Sequence, residues 1–342
     1  MGTLSKLMIQ SPSPCRTRLG LSSLHQSGFR FLGRGVVRGF RSKQSIPKPK
    51  VIDVAPIKVK PTQQTPQSSL VKPFLFTVSV CGCSFLVSMI WNYENMRKKF
   101  RDLKRGIFEP SPQEQKRFGF RNEINQFWKK LGANEKLMYG IILTNITVFG
   151  LWKIPSIQST MFRYFSSSIT HPLPSMVLAS FSHIHLFHIF ANMYVLSSFA
   201  PLVAHMYGHE QFAAVYLSAG VTSSFVSIAL QKVLSRPSTI SIGASGAIMG
   251  LLGIVCVTMP NSQLSIAFLS EIFPHSFSAD TGMKAIIAFD ILGLVLGWRV
   301  LDHAGHLGGM LFGILYAKYG TNFIWGQRDN IIKTWHNIRG KP

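Results

Sequence analysis

The chain has 342 residues, of which 46% are hydrophobic and only 14% charged, with a net charge of +23. Soluble domains carry about 25% charged residues. The shortfall lies in a series of apolar runs, which excludes an ordinary water-soluble globule and makes the bilayer part of the solvent. A charge this positive could serve nucleic acid, but its placement argues against that partner. Much of it sits at the N-terminus, where Met1 to Lys50 holds ten Lys and Arg, Arg16, Arg18, Arg30, Arg34, Arg38 and Arg41 among them, and no acid.

Arg-rich, Ser-rich and acid-free sequence is the signature of a mitochondrial transit peptide, here residues 1–45. Residues 46–72, with Pro47, Pro49, Pro56, Pro61 and Pro66, have the composition of a disordered linker. The first apolar run, Phe74 to Trp91, predicts a transmembrane helix over 73–92. Arg97, Lys98, Lys99 and Arg101 follow it at once and open a polar, mostly basic loop, 93–136.

Six further runs then cluster within 137–320: Leu137–Trp152, His188–Met206, Phe212–Val233, Ser245–Met259, Met283–Trp298 and His303–Tyr319. They predict an all-α polytopic membrane protein, with one separated helix ahead of a six-helix core and a polar tail over 321–342. Several runs fall below the roughly 20 residues of an average span. Short spans are tolerated where polar helix ends line a water-filled cavity. Cys15, Cys81, Cys83 and Cys256 include no CxxC pair and read as small apolar residues.

The clustered runs carry His188, Asn192, Ser245, Asp290 and His306 at membrane depth. Polar side chains are expensive in lipid and mark functional sites by default, although they also tie helices together. Ser245 lies in Gly243-Ala244-Ser245-Gly246, at the opening of an apolar run. A serine hydroxyl needs a base to become a nucleophile, and a helix starting at Ser245 aims backbone N–H groups where an oxyanion would form. The pattern is GxSG, because Ala247 breaks the GxSxG of a soluble nucleophile elbow.

His306, in Gly305-His306-Leu307-Gly308-Gly309, supplies a base. Gly305, Gly309 and Gly313 recur every fourth residue, and Gly246, Gly250 and Gly253 give the serine helix a similar face. Two such helices can pack closely enough to bring hydroxyl and imidazole within hydrogen-bond reach. His188 and Asn192, four apart, share one helix face and can both donate to an oxyanion. Taking His183, His185 and His188 as metal ligands is the weaker reading: HExxH is absent, and no metal or other cofactor is expected. Asp302 could orient His306 but better suits a cap on the last helix, and Asp290 reads as a buried, hydrogen-bonded structural acid. An aspartyl intramembrane protease would need a second acid and a GxGD-like loop, and a proton-coupled transporter could use Asp290 and the histidines.

Gly243-Ala244-Ser245-Gly246, His188 with Asn192, and Gly305-His306-Leu307-Gly308-Gly309 together resemble the rhomboid protease family. Phe162-Arg163-Tyr164-Phe165, Ala191-Asn192-Met193-Tyr194-Val195-Leu196 and Tyr216-Leu217-Ser218-Ala219-Gly220 extend the likeness over about 70–340, toward its mitochondrial branch. The resemblance implies an inner-membrane serine protease with one extra N-terminal helix before the six-helix core. It implies a Ser245–His306 dyad without an acid, oxyanion contacts from His188 and Asn192, and single-pass membrane proteins as substrates, among them regulators of mitophagy and apoptosis. A catalytically inactive rhomboid-like protein that binds membrane helices is the alternative. Two departures stand out: Met249 replaces the tyrosine that packs on the histidine in many bacterial members, and Trp152-Lys153 is a poor match for the family's Trp-Arg pair.

Overall fold

The computed structural model describes residues 69–108, 119–235, 239–264 and 276–340. The transit peptide and nearly all of the linker expected at the N-terminus lie outside these residues. Within them the protein is all-α, apart from an antiparallel pairing of Gln263–Leu264 with Phe277–Ser278 and one isolated bridge between Ser167 and Ser241.

Helix α1 spans Val71–Phe108 and so runs well beyond the apolar segment that announces it. The described part of the basic stretch is largely helical, with α2 at Phe120–Lys130 and α3 starting at Ala133, where the composition predicts a loop over 93–136. The reason is propensity. Lys, Arg, Glu and Met are good helix formers, and no proline follows Pro73 until Pro110. The helix therefore outlasts the apolar run.

Helix α3, Ala133–Leu151, gives way at Pro155 to α4, Gln158–Tyr164, which is turned through 97°. Proline lacks the N–H that would continue the helix, and it disfavours helical backbone in the residue before it; Ile154 is accordingly extended. A loop containing the short turn Ser175–Leu178 leads to α5, Leu186–Tyr207, and α6, His209–Val233. Then come α7, Ser245–Thr258, α8, Ala279–Leu296, and α9, His303–Leu315, which continues as a π-turn through Gly320. The polar tail is itself helical, α10 at Arg328–Arg339.

Among the described residues α1, α5 and α6 can cross a membrane by length and composition, and the α3–α4 pair makes a fourth when it is counted as one bent span; α7 is apolar but shorter. At the centre, α6, α7 and α9 pack against one another, with α8 against α7 and α9 and with α1 on the outer side of α6. Helix α10 docks on the extension of α1: Trp335 Nε1 donates to Glu94 Oε1 at 3.0 Å, Arg328 donates to Asn92 at 3.3 Å, and Arg339 pairs with Glu94.

The α7–α9 contact depends on glycine. A Cβ on Gly309 would collide with the carbonyl oxygen of Gly246, one on Gly313 with that of Gly250, and one on Gly253 would stand 2.7 Å from the Met310 oxygen. These backbones touch with no side chain between them, the packing that small-residue repeats allow in membranes.

Candidate active site

Ser245 is the first residue of α7, so its own N–H and those of Gly246 and Ala247 lack intrahelical acceptors. The chain enters this helix through Gly243, whose φ of 131° lies in the region that favours glycine. A Cβ there would also stand 2.8 Å from the His188 ring, so the same glycine makes room for that imidazole. The entry strand is pinned by the paired backbone hydrogen bonds of Ser167 and Ser241 and by Gly243 N–H donating to Ala179 O at 3.0 Å.

His306 lies in the first turn of α9, and its Nε2 stands 3.0 Å from Ser245 Oγ. The pair expected from two distant segments is thus in contact. His306 is 7% exposed and Ser245 is partly accessible. They share a cavity of about 420 Å³ with His185, His188, Trp298 and His303 on its wall. Residues 297–301, between α8 and α9, form part of its rim, and Val300 there is 93% exposed.

His188 faces this cavity. Asn192 lies one layer behind it, buried, with Nδ2 donating to His183 Nε2 at 3.0 Å and to the His188 carbonyl at 3.1 Å. His183 Nε2 also accepts from Ala244 N–H, at 3.4 Å. Burial, and secondarily the neighbouring His188, hold His183 far below the ordinary imidazole value, at about 3. A neutral ring can accept at Nε2, so His183 braces both Asn192 and the residue before Ser245. In the sequence His183 stands out only as a possible metal ligand. It precedes α5, outside any helical register with His188, and no spacing signals its role. Among the described residues, no cluster of three or more His, Cys, Asp or Glu could hold a metal ion.

Asp302 is the N-cap of α9, its Oδ1 accepting from Gly305 N–H at 3.0 Å and from Ser227 Oγ–H at 2.8 Å, as its position suggested. Asp290, on α8, is buried and hydrogen-bonded, as expected of a structural acid, but its partners lie within the site. Its Oδ1 stands 2.7 Å from His303 Nδ1 and 3.3 Å from His306 Nδ1. Met249 packs into a cluster with Leu252, Cys256, Ala279 and Met310. Trp152 donates to Ser182 Oγ at 2.7 Å and Lys153 Nζ to Ile184 O at 3.0 Å, so the atypical Trp-Lys pair anchors the segment leading into α5.

The fold and the site define a class: polytopic helical membrane proteins that hold a serine–histidine pair within the bundle. Comparison with known proteins narrows it. The model of the Rhomboid domain matches residues 170–323. The chain is 46% identical over 279 residues to the human (Homo sapiens) presenilin-associated rhomboid-like protein, mitochondrial, covering 80% of this chain and 73% of that protein. It is 36% identical to presenilin-associated rhomboid-like protein A, mitochondrial, of Danio rerio, covering 99% of this chain and 95% of that one. To rhomboid protease GluP of Bacillus subtilis it is 34% identical over 138 residues, 40% of this chain and 24% of that protein. The chain belongs to the rhomboid family, in its mitochondrial presenilin-associated rhomboid-like group, and is a mitochondrial membrane protein.

Proposed function

We propose that the protein is a serine endopeptidase of the inner mitochondrial membrane that cleaves single-pass membrane proteins with Ser245 as nucleophile and His306 as base. The observation that carries this reading is the 3.0 Å approach of His306 Nε2 to Ser245 Oγ. In this reading α1 is an extra helix ahead of a six-helix core (α3 and α5–α9) and residues 1–45 are the mitochondrial presequence. By likeness to the family, its substrates include regulators of mitophagy and apoptosis.

The reaction is acyl transfer. His306 takes the Oγ proton as Ser245 attacks the carbonyl of an unwound substrate segment, then gives it to the leaving amine; water hydrolyses the acyl-enzyme by the reverse sequence. First-turn N–H groups of α7 and the His188 side chain stabilise the tetrahedral oxyanion, and Asn192 joins them by redirecting one Nδ2 hydrogen from His183 Nε2 or the His188 carbonyl. A hydrogen-bonded substrate helix hides its carbonyls, so small or helix-weakening residues near the cut favour cleavage.

The test is cleavage of a fluorogenic transmembrane peptide by the full chain reconstituted in liposomes. Asn192→Ala is expected to lower kcat by about 10²-fold with KM little changed, the loss associated with one oxyanion donor. Unchanged kcat would remove Asn192 from the mechanism. A folded wild-type protein that binds the peptide but leaves it intact would instead favour an inactive helix-binding member.

A further inference from the structure

A serine–histidine pair leaves one matter open: what holds the far side of the imidazole. Met249 belongs to the cluster around Leu252 and Met310. Asp302, the acid nearest in sequence, spends Oδ1 on Gly305 N–H and the Ser227 hydroxyl. The group at His306 Nδ1 is Asp290, from a different helix, 2% exposed. His303 and His306 are three residues apart on one face of α9, so a single oxygen on α8 meets both rings. Gly293, one turn beyond Asp290, lets His303 approach, since a Cβ there would run into its ring.

We propose that Asp290 is a positioning residue for the base, so that the site works as a Ser245–His306–Asp290 array. The proposal rests on the Ser245–His306 reading and goes beyond it. A carboxylate only accepts, so a hydrogen bond to each ring requires a proton on each Nδ1. At His306 that tautomer leaves the Nε2 lone pair facing Ser245 Oγ, the state a general base must occupy. When His306 takes the serine proton, the imidazolium forms beside a buried opposite charge, in surroundings where such a charge counts for more than in water. His303, the nearer donor, occupies the same oxygen and holds the carboxylate against α9. The rival is architectural: Asp290 would serve His303 alone, as a tie between α8 and α9.

The two separate in a kinetic comparison of full-length protein in liposomes, with rates normalised to folded, monodisperse enzyme. Asp290→Asn is expected to lower kcat by about 10²-fold or more, with KM within about threefold, since the wrong tautomer is costly even where geometry persists. His303→Phe, which keeps an aromatic ring beside Phe289 and Trp298 but gives up its bond to Asp290, is expected to lower kcat at least about tenfold less than Asp290→Asn does. In Asp290→Ala, formate but not chloride at equal ionic strength should recover part of the lost kcat. Asp290→Asn within about threefold of wild type, or Asp290→Asn and His303→Phe falling equally, would overturn the proposal. So would failure of both Asp290 variants to fold, which would mark the acid as architectural. Ser245→Ala decides which claim has failed: if it cleaves like wild type, the Ser245–His306 reading goes and this proposal with it.

Discussion

Replacing Ser245 by Ala is expected to bring cleavage of a transmembrane substrate below detection, a loss of at least about 10⁴-fold in kcat, while the protein still folds and binds its substrate. The magnitude follows from the chemistry. Without the hydroxyl no acyl-enzyme can form, and what remains is whatever the oxyanion donors and substrate positioning give to direct attack by water. Retained folding follows from the site. Ser245 Oγ makes its contact with His306 at a partly accessible position, and no core packing rests on it. His306→Ala should match the loss, because members of a catalytic unit are not additive. The double variant should be no slower than either single one. Product formation by Ser245→Ala at the wild-type rate would refute the assignment of nucleophile.

The second large effect is structural. Gly309→Val should both lower the thermal midpoint and cut activity by at least about 10²-fold, because misplacing reacting groups by about an ångström is enough for that. The α9 backbone lies against the Gly246 carbonyl, so any Cβ at 309 must push the two helices apart. Overpacking alone costs about 1–3 kcal/mol. Here the displaced helices are those that carry Ser245 and His306, and the rigid backbone on the other side cannot rotate away. Gly313→Val should behave alike through Gly250. Gly140→Ala is the control: nothing lies within 4 Å of a Cβ built there, and alanine suits a helix interior better than glycine. If Gly309→Val kept wild-type activity and melting, the close backbone approach would not be what positions the pair.

Much of this was legible in the residues. Ser245 and His306 announced themselves because a hydroxyl and an imidazole at membrane depth are expensive, and the glycine repeats around them said which helices could touch. Asp302 was legible as a cap because capping is local and has a positional signature. What could not be read were contacts created by packing alone. Asp290 was flagged by the cost of an acid in lipid, but its proximity to His306 arises only when α8 packs beside α9. His183 supports Asn192 from a loop, where no periodicity relates the two. The length of α1 is not legible in hydropathy for another reason: apolarity marks only part of the helix, whereas helix propensity in Arg97, Lys98 and Lys99 carries it on beyond the apolar run. Pro155 is the local cause of the break after α3, but nothing in the sequence sets its 97° angle.

The most direct measurement is covalent labelling by a fluorophosphonate, which reacts with a serine only when its hydroxyl is activated. In reconstituted full-length protein the probe should attach at Ser245, located by peptide mass, and should fail in both Ser245→Ala and His306→Ala while each remains folded. Labelling of Ser245 that persists undiminished in His306→Ala, or labelling confined to another residue in the wild type, would contradict the account.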